Sequence, residues 1–375
     1  MLLVCNFLSK GWEVSILGLL AFVLQQYSLP LYMVGILSAV FIVSQISISL
    51  FAGRIAHAIG SRSVIFLSIA ASGLAWLTLF LSGRAGLLYL VYVFGGISSG
   101  LFEPIGNSLV AMLTPSKSRG TAIGNFAAFG DMGRIAVLGV ATTIAARLGV
   151  AKAALVLFCS TVIVLILALN AIPKTDGEVP EESPALLVHF RDLLRNLKFR
   201  YATAAGIADS FSSASLYIFI PLLLSAKGIA LANVLYFDVV FFAGYMMGRL
   251  VLGRLADRLG TAHILMICDG IMAGLVLLLT VVAGKAVMVM LLFLLGIFTR
   301  GSSPIIRAMV ADSMDGKTNF HDAFSAYSFA SRSSSAVSRP VYGFLASSAG
   351  IVSVFYLASV MSLLTLYPAA KYKNH

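Results

Sequence analysis

Glycine, acid and amide recur on one helical face in the middle of the first half of this 375-residue chain. Gly96, Gly100, Glu103 and Asn107 stand at i, i+4, i+7 and i+11. Two hundred residues later the matching positions are Gly296, Arg300, Ser303 and Arg307. One copy of the face is acidic and polar, the other doubly cationic. A carboxylate in a partly dehydrated site can exchange protons, and an arginine fork can hold a carboxylate by two parallel hydrogen bonds. Because Arg300 and Arg307 have no acid on their own helix face, they are expected to contact a solute or counter-ion.

Other charges lie in similarly apolar surroundings. Asn6, Lys10 and Glu13 form a stripe near the start, and Asp209 stands one turn before Ser213. Ser325, Ser328, Arg332, Ser335 and Arg339 run down one face ahead of Pro340. Lys10 with Glu13 and Asp131 with Arg134 are three apart and can pair internally. Asp238 and Asp269 read as structural. An ionised residue at the centre of a lipid-embedded helix costs roughly 2.5–3.5 kcal/mol, so such groups face a partner or a water-filled cavity.

The elements that position these residues follow from composition. Hydrophobic residues make up 59% of the chain and charged residues 11%, with a mean hydropathy of +0.98, too little polar surface for a soluble globule. The expectation is an all-α membrane protein with twelve transmembrane helices in two six-helix repeats. The first six spans cover residues 2–26, 31–52, 64–81, 87–113, 122–146 and 151–172. The second six cover 201–225, 230–251, 264–282, 287–311, 323–348 and 351–369. Fifteen of the 26 basic residues then fall in loops on one side and five on the other, which predicts both termini in the cytoplasm. Topology accounts for the net charge of +11 without nucleic acid. No cleaved signal peptide is expected, since the first span begins without a basic region. Cys5, Cys159 and Cys268 lie in spans and read as apolar packing.

Shifting the sequence by 200 residues superposes Gly53-Arg54-Ile55-Ala56 on Gly253-Arg254-Leu255-Ala256, Gly60 on Gly260, and Pro104-Ile105 on Pro304-Ile305. The chain divides into a six-helix half at 1–172, a cytoplasmic linker at 173–200 and a second half at 201–375. Within the linker, apolar residues recur at helical spacing from Ser183 onward between Arg191, Arg195 and Lys198, which predicts an amphipathic helix on the membrane surface.

The loop Gly253-Arg254-Leu255-Ala256-Asp257-Arg258-Leu259-Gly260 resembles the G-x-L-A-D-R-x-G signature of the major facilitator superfamily. Its counterpart from Gly53 to Gly60, with Arg62 beyond, is similar but places His57 where the family carries an acid. The resemblance covers the whole chain. It implies a secondary transporter whose spans 1, 4, 7 and 10 line a central cavity while 3, 6, 9 and 12 face lipid. It also implies a conformational latch at Gly53, His57, Gly60, Arg62, Gly253, Asp257, Arg258 and Gly260, weakened at His57. Tyr92 replaces the arginine common in span 4, and span 5 lacks the glycine-proline pattern of many antiporters.

Other chemistry is set aside. Residues 311–318 satisfy a loose phosphate-loop pattern but join two membrane helices rather than a strand and a helix. The five histidines are scattered, and no nucleophile has its base at a recognisable spacing, so neither an enzyme nor a metal or other cofactor is expected.

The expected function is alternating-access transport of a small organic solute, anionic or zwitterionic, with protons as the coupling ion. Glu13, Glu103 and Asp209 are the titrating candidates; Lys10, Asn107, Arg300, Arg307 and Arg332 join them at the substrate. The expected partners are the solute, the proton and the lipid bilayer, for a monomer in a bacterial cytoplasmic (inner) membrane. Proton-coupled efflux of an amphipathic or cationic compound is the alternative, and a non-transporting receptor or lipid-handling protein is another.

Overall fold

The computed structural model describes residues 1–82, 85–112, 119–171, 193, 195–213, 215–313 and 320–374. Most of the predicted linker, its amphipathic helix and the phosphate-loop-like segment lie outside them. Backbone groups in lipid must bond internally, and among the described residues they do so as fifteen α-helices. In the first half these are α1 (Leu2–Gly18), α2 (Leu20–Tyr27), α3 (Tyr32–Ser49), α4 (Ala52–Ile59), α5 (Ser61–Leu81), α6 (Leu88–Met112), α7 (Arg119–Leu148) and α8 (Val150–Ala171). In the second they are α9 (Leu197–Ser213), α10 (Leu216–Ala226), α11 (Leu231–Leu259), α12 (Thr261–Val281), α13 (Lys285–Asp312), α14 (Phe320–Ala349) and α15 (Ile351–Lys373).

Ten segments are long and apolar enough to cross a bilayer on hydropathy alone, α1 with α2 and α9 with α10 each counting as one. The other two predicted spans are α11 and α14, of 29 and 30 residues. Both are long enough, but they carry the acid, arginines and serines described below, and those polar residues lower their hydropathy.

Two compact units result, Met1–Pro180 with Ala230–Leu235, and Glu181–Ile229 with Tyr236–His375. In the first, α1 packs on α7 and α6, α3 on α6, and α5 between α6 and α8. Trp12, Phe41, Trp76, Tyr92 and Phe102 fill its interior. In the second, α9 packs on α13, α14 and α15, and α12 packs on α13 and α15. Phe199, Leu265, Ile306 and Met309 are at its centre, closed by a Tyr372 hydroxyl that donates to the Met309 carbonyl at 3.0 Å. Exposed apolar stripes mark the lipid-facing side of spans 3, 6 and 12, with Leu67 and Leu74 on α5, Ile163 and Ile166 on α8, and Leu363 and Leu364 on α15.

The duplication extends to individual contacts. Gly96 on α6 lies so close to α3 that a Cβ would collide with the Phe41 carbonyl, and Gly296 on α13 stands likewise against Phe241 of α11. Tyr27 donates to the Ser82 carbonyl at 2.5 Å, and its repeat mate Lys227 donates to the carbonyl of Val282. Burial pulls the Lys227 ammonium below the ordinary lysine pKa.

Span 7 departs from the single helix expected. It ends as α9 at Ser213 and resumes as α10 at Leu216. Ser212 bonds back to the Asp209 carbonyl at 2.9 Å, Ser334 of α14 donates to the Ile207 carbonyl at 2.7 Å, and Tyr342 donates to that of Phe211 at 2.9 Å. Hydroxyls competing for backbone carbonyls loosen a helix, and this segment is rich in them.

Candidate functional site

In the first unit, packing of α1 and α3 against α6 brings five polar residues together. The Lys10 ammonium donates to Glu13 Oε2 at 2.8 Å, one turn along α1, and to Glu103 Oε2 at 3.0 Å on α6. Ser99, a turn before Glu103, donates to the same Glu13 oxygen at 2.9 Å. Gln45 of α3 donates to the Ser99 hydroxyl at 2.7 Å. Gly130 lets α7 approach: a Cβ there would stand 3.0 Å from Lys10 Cγ. On α7, Arg134 pairs with Asp131 at 2.8 Å, and Asn6 of α1 donates to the Phe126 carbonyl.

One lysine thus serves two carboxylates. With both ionised, the Lys10–Glu13–Glu103 group carries one net negative charge, and protonating either acid neutralises it. Lys10 and Glu13 have side chains 13% and 17% exposed, whereas Glu103 is 30% exposed. Glu13 is the enclosed acid and Glu103 the one within reach of solvent. Of the expected polar face on α6, Gly96 and Gly100 serve close packing against α3, so only its lower part carries charge. Gln45 and Ser99 escaped the sequence reading because neither is ionisable; the spacing of Ser99 four residues before Glu103 was the available signal.

In the second unit, Asp209 is buried on α9 and accepts from Ser302 of α13 at 2.7 Å. Arg307 is exposed on α13 and Arg332 half-buried on α14. Among the described residues, Ser331, Ser334 and Ser335 of α14 bond to α9 and Ser338 to Ser215 just beyond it, a set rotated from the face read in the sequence, with which it shares Ser335. The fully buried Asp269 of α12 turns inward, where Ser362 donates to its carbonyl at 2.8 Å and approaches its carboxylate at 3.5 Å. Asp238, expected to be structural, is 6% exposed on α11 yet makes no hydrogen bond or ion pair among the described residues.

Around the loop motifs, Gly60 and Gly260 both cap a helix with positive φ, +83° and +90°. Arg62 lies over the Phe66 ring at 5.2 Å, Gly53 has open space around it, and Arg258 is exposed. The side chains of His57, Asn107, Asp257 and Arg300 lie outside the described set, as do the surroundings of Gly253. Among the described residues no three His, Cys, Asp or Glu side chains cluster as metal ligands.

Comparison with known proteins agrees with this architecture. A crystal structure of a bacterial homolog of the human lysosomal transporter Spinster, inward-facing and unoccupied, superposes with a TM-score of 0.74 over 99% of this chain and 94% of that one, at 13% identity. No curated protein sequence matches. The family profile of the Major Facilitator Superfamily matches residues 2–240 and again 202–373, so each half of the chain is recognised. The chain belongs to the Major Facilitator Superfamily and is a secondary transporter, not an enzyme.

Proposed function

We propose that the protein moves a small anionic or zwitterionic organic solute by alternating access, driven by protons that load and leave through Glu103. The observation that carries this reading is the position of Lys10, shared between Glu13 at 2.8 Å and Glu103 at 3.0 Å. A lysine between two acids holds one proton-equivalent too few. Neutralising Glu103 releases Lys10 to Glu13, and the charged bond between α1 and α6 is weakened while Ser99 still donates to Glu13. A proton thereby changes how two helices are tied, which is the kind of differential contact that shifts a conformational equilibrium. Arg300 and Arg307 supply the charge match to a carboxylate, and Asp209 is a second titrating candidate. Both termini are proposed to be cytoplasmic, on the bias of basic loop residues.

The deciding experiment is flux in proteoliposomes with a metabolite panel under an imposed pH gradient. Gradient-driven uptake that Glu103→Gln abolishes, with solute exchange largely retained, is the expected outcome. Uptake that ignores the proton gradient but follows sodium overturns the coupling, and unimpaired proton-driven uptake in Glu103→Gln removes that residue from it.

A further inference from the structure

Asp238 is a carboxylate in a membrane helix, 6% exposed, with no hydrogen bond or ion pair among the described residues. Leaving a buried carboxylate ionised and unmatched is costly, so such a group takes up either a proton or a cation, and no cation stands against it among the described residues. Its helix face carries aromatic residues. Phe242 and Tyr245 follow at i+4 and i+7 on the same face of α11. The Phe242 ring lies 6.0 Å from that of Tyr217 on α10 at 63°, and 6.2 Å from that of Tyr245 at 66°. Rings at steep mutual angles form walls, and their negative faces attract a cation. The Tyr245 face already does so, holding the Arg249 guanidinium at 4.8 Å. Arg249 is eleven residues beyond Asp238, about 16 Å along the helix, too far to neutralise it.

We propose that Asp238, Tyr217, Phe242 and Tyr245 bind the ammonium group of an organic solute. A metal ion would need several oxygen ligands, whereas the rings offer π faces and Asp238 stands without a hydroxyl or carbonyl bonded to it. An alkylated ammonium suits this setting, with its charge against Asp238 and its methyl or methylene groups against the rings. The inference deepens the proposed function by naming the cationic end of a zwitterionic solute. It rests on that reading for the solute being carried, but binding is measured without any gradient, so loss of proton coupling would leave it standing.

The test uses the full chain purified in detergent, titrated with choline or with its uncharged isostere 3,3-dimethylbutan-1-ol, and reads the shift in thermal unfolding. Choline should stabilise the wild type and the isostere should not. Asp238→Asn should weaken choline binding tenfold or more, Asp238→Glu should restore most of it, and Leu74→Ala on the exposed face of α5 should leave it unchanged. Phe242→Leu, which keeps volume and removes the π face, should weaken it severalfold and decides the matter if Asp238→Asn fails to fold. Equal response to choline and the isostere, no response to either, or wild-type affinity in Asp238→Asn overturns the proposal. So does an Asp238→Asn variant that loses proton-driven flux while binding choline normally, which would make Asp238 a proton site.

Discussion

The Lys10 ammonium stands 3.0 Å from Glu103 Oε2, joining α1 to α6 across 93 residues of chain. Removing it deprives two carboxylates in a partly buried site of the cation they share. Lys10→Met should therefore destabilise the first unit by about 1–3 kcal/mol, less than a fully buried pair because Glu103 reaches solvent. Glu103→Gln added to Lys10→Met removes one of the two unmatched charges and should recover part of the loss. Thermal unfolding in detergent reads both. A Lys10→Met variant as stable as wild type would show that the lysine does not hold the two helices together.

Gly96 and Gly296 predict a paired effect in separate units. A methyl group at either meets a backbone carbonyl, Phe41 on α3 or Phe241 on α11, which cannot rotate away as a side chain could. Gly96→Ala and Gly296→Ala should each force the helices apart and cost about 1–3 kcal/mol, as overpacked cores do. The two costs should add, since the sites share no partner. Monodispersity in size exclusion and the unfolding midpoint provide the check; an alanine tolerated at one position and not the other would break the equivalence of the two contacts.

What could be read from residues alone depended on how local the signal was. Helix number and the 200-residue repeat were legible because length, hydropathy and the glycine-arginine loops are properties of single segments. Pairing of Lys10 with Glu13 and of Asp131 with Arg134 was legible for the same reason, each being three residues apart. Glu103 as the second partner of Lys10 was not, because it depends on which face of α1 meets α6. The break in span 7 was hidden too: serine is compatible with a membrane helix, and the Tyr342 hydroxyl that meets the last turn of α9 arrives from α14. Asp238 reads as structural from its place near a span's start, and its lack of a hydrogen bond or ion pair among the described residues is a tertiary property that no local spacing carries.

The loop glycines separate conformation from space. Gly60 has φ +83° and ψ 144°, a region that side-chain-bearing residues avoid, although nothing lies within 4 Å of where its Cβ would be. Gly53 is equally uncrowded but has no positive φ. Gly60→Ala should therefore cost about 1–3 kcal/mol from backbone strain alone, whereas Gly53→Ala should be neutral or slightly stabilising within α4. Gly260, at φ +90°, should behave like Gly60. Equal stability of the Gly53 and Gly60 variants would mean that the turn relaxes and that the motif's final glycine is not required by geometry.

The α9–α14 contact offers the last test, a comparison of hydrogen bonding with packing at one interface. Ser334 donates to the Ile207 carbonyl at 2.7 Å, and interhelical bonds of this kind average about 0.6 kcal/mol in membranes. Ser334→Ala should accordingly lower stability only slightly, because the carbonyl can keep its own helical donor. Gly206, one residue earlier on α9, faces the Tyr327 ring so closely that an added Cβ would collide with it, and Ile306 closes the other side at 3.1 Å. Tyr327 is itself 5% exposed, so its ring has little room to yield. Gly206→Ala should cost several times more than Ser334→Ala, about 1–3 kcal/mol. The double variant Gly206→Ala with Tyr327→Leu should recover part of that loss by removing the ring's outer atoms. If Ser334→Ala proves the more damaging change, the interface is held by its hydroxyls rather than by close approach, and the broken span 7 depends on α14 for its shape.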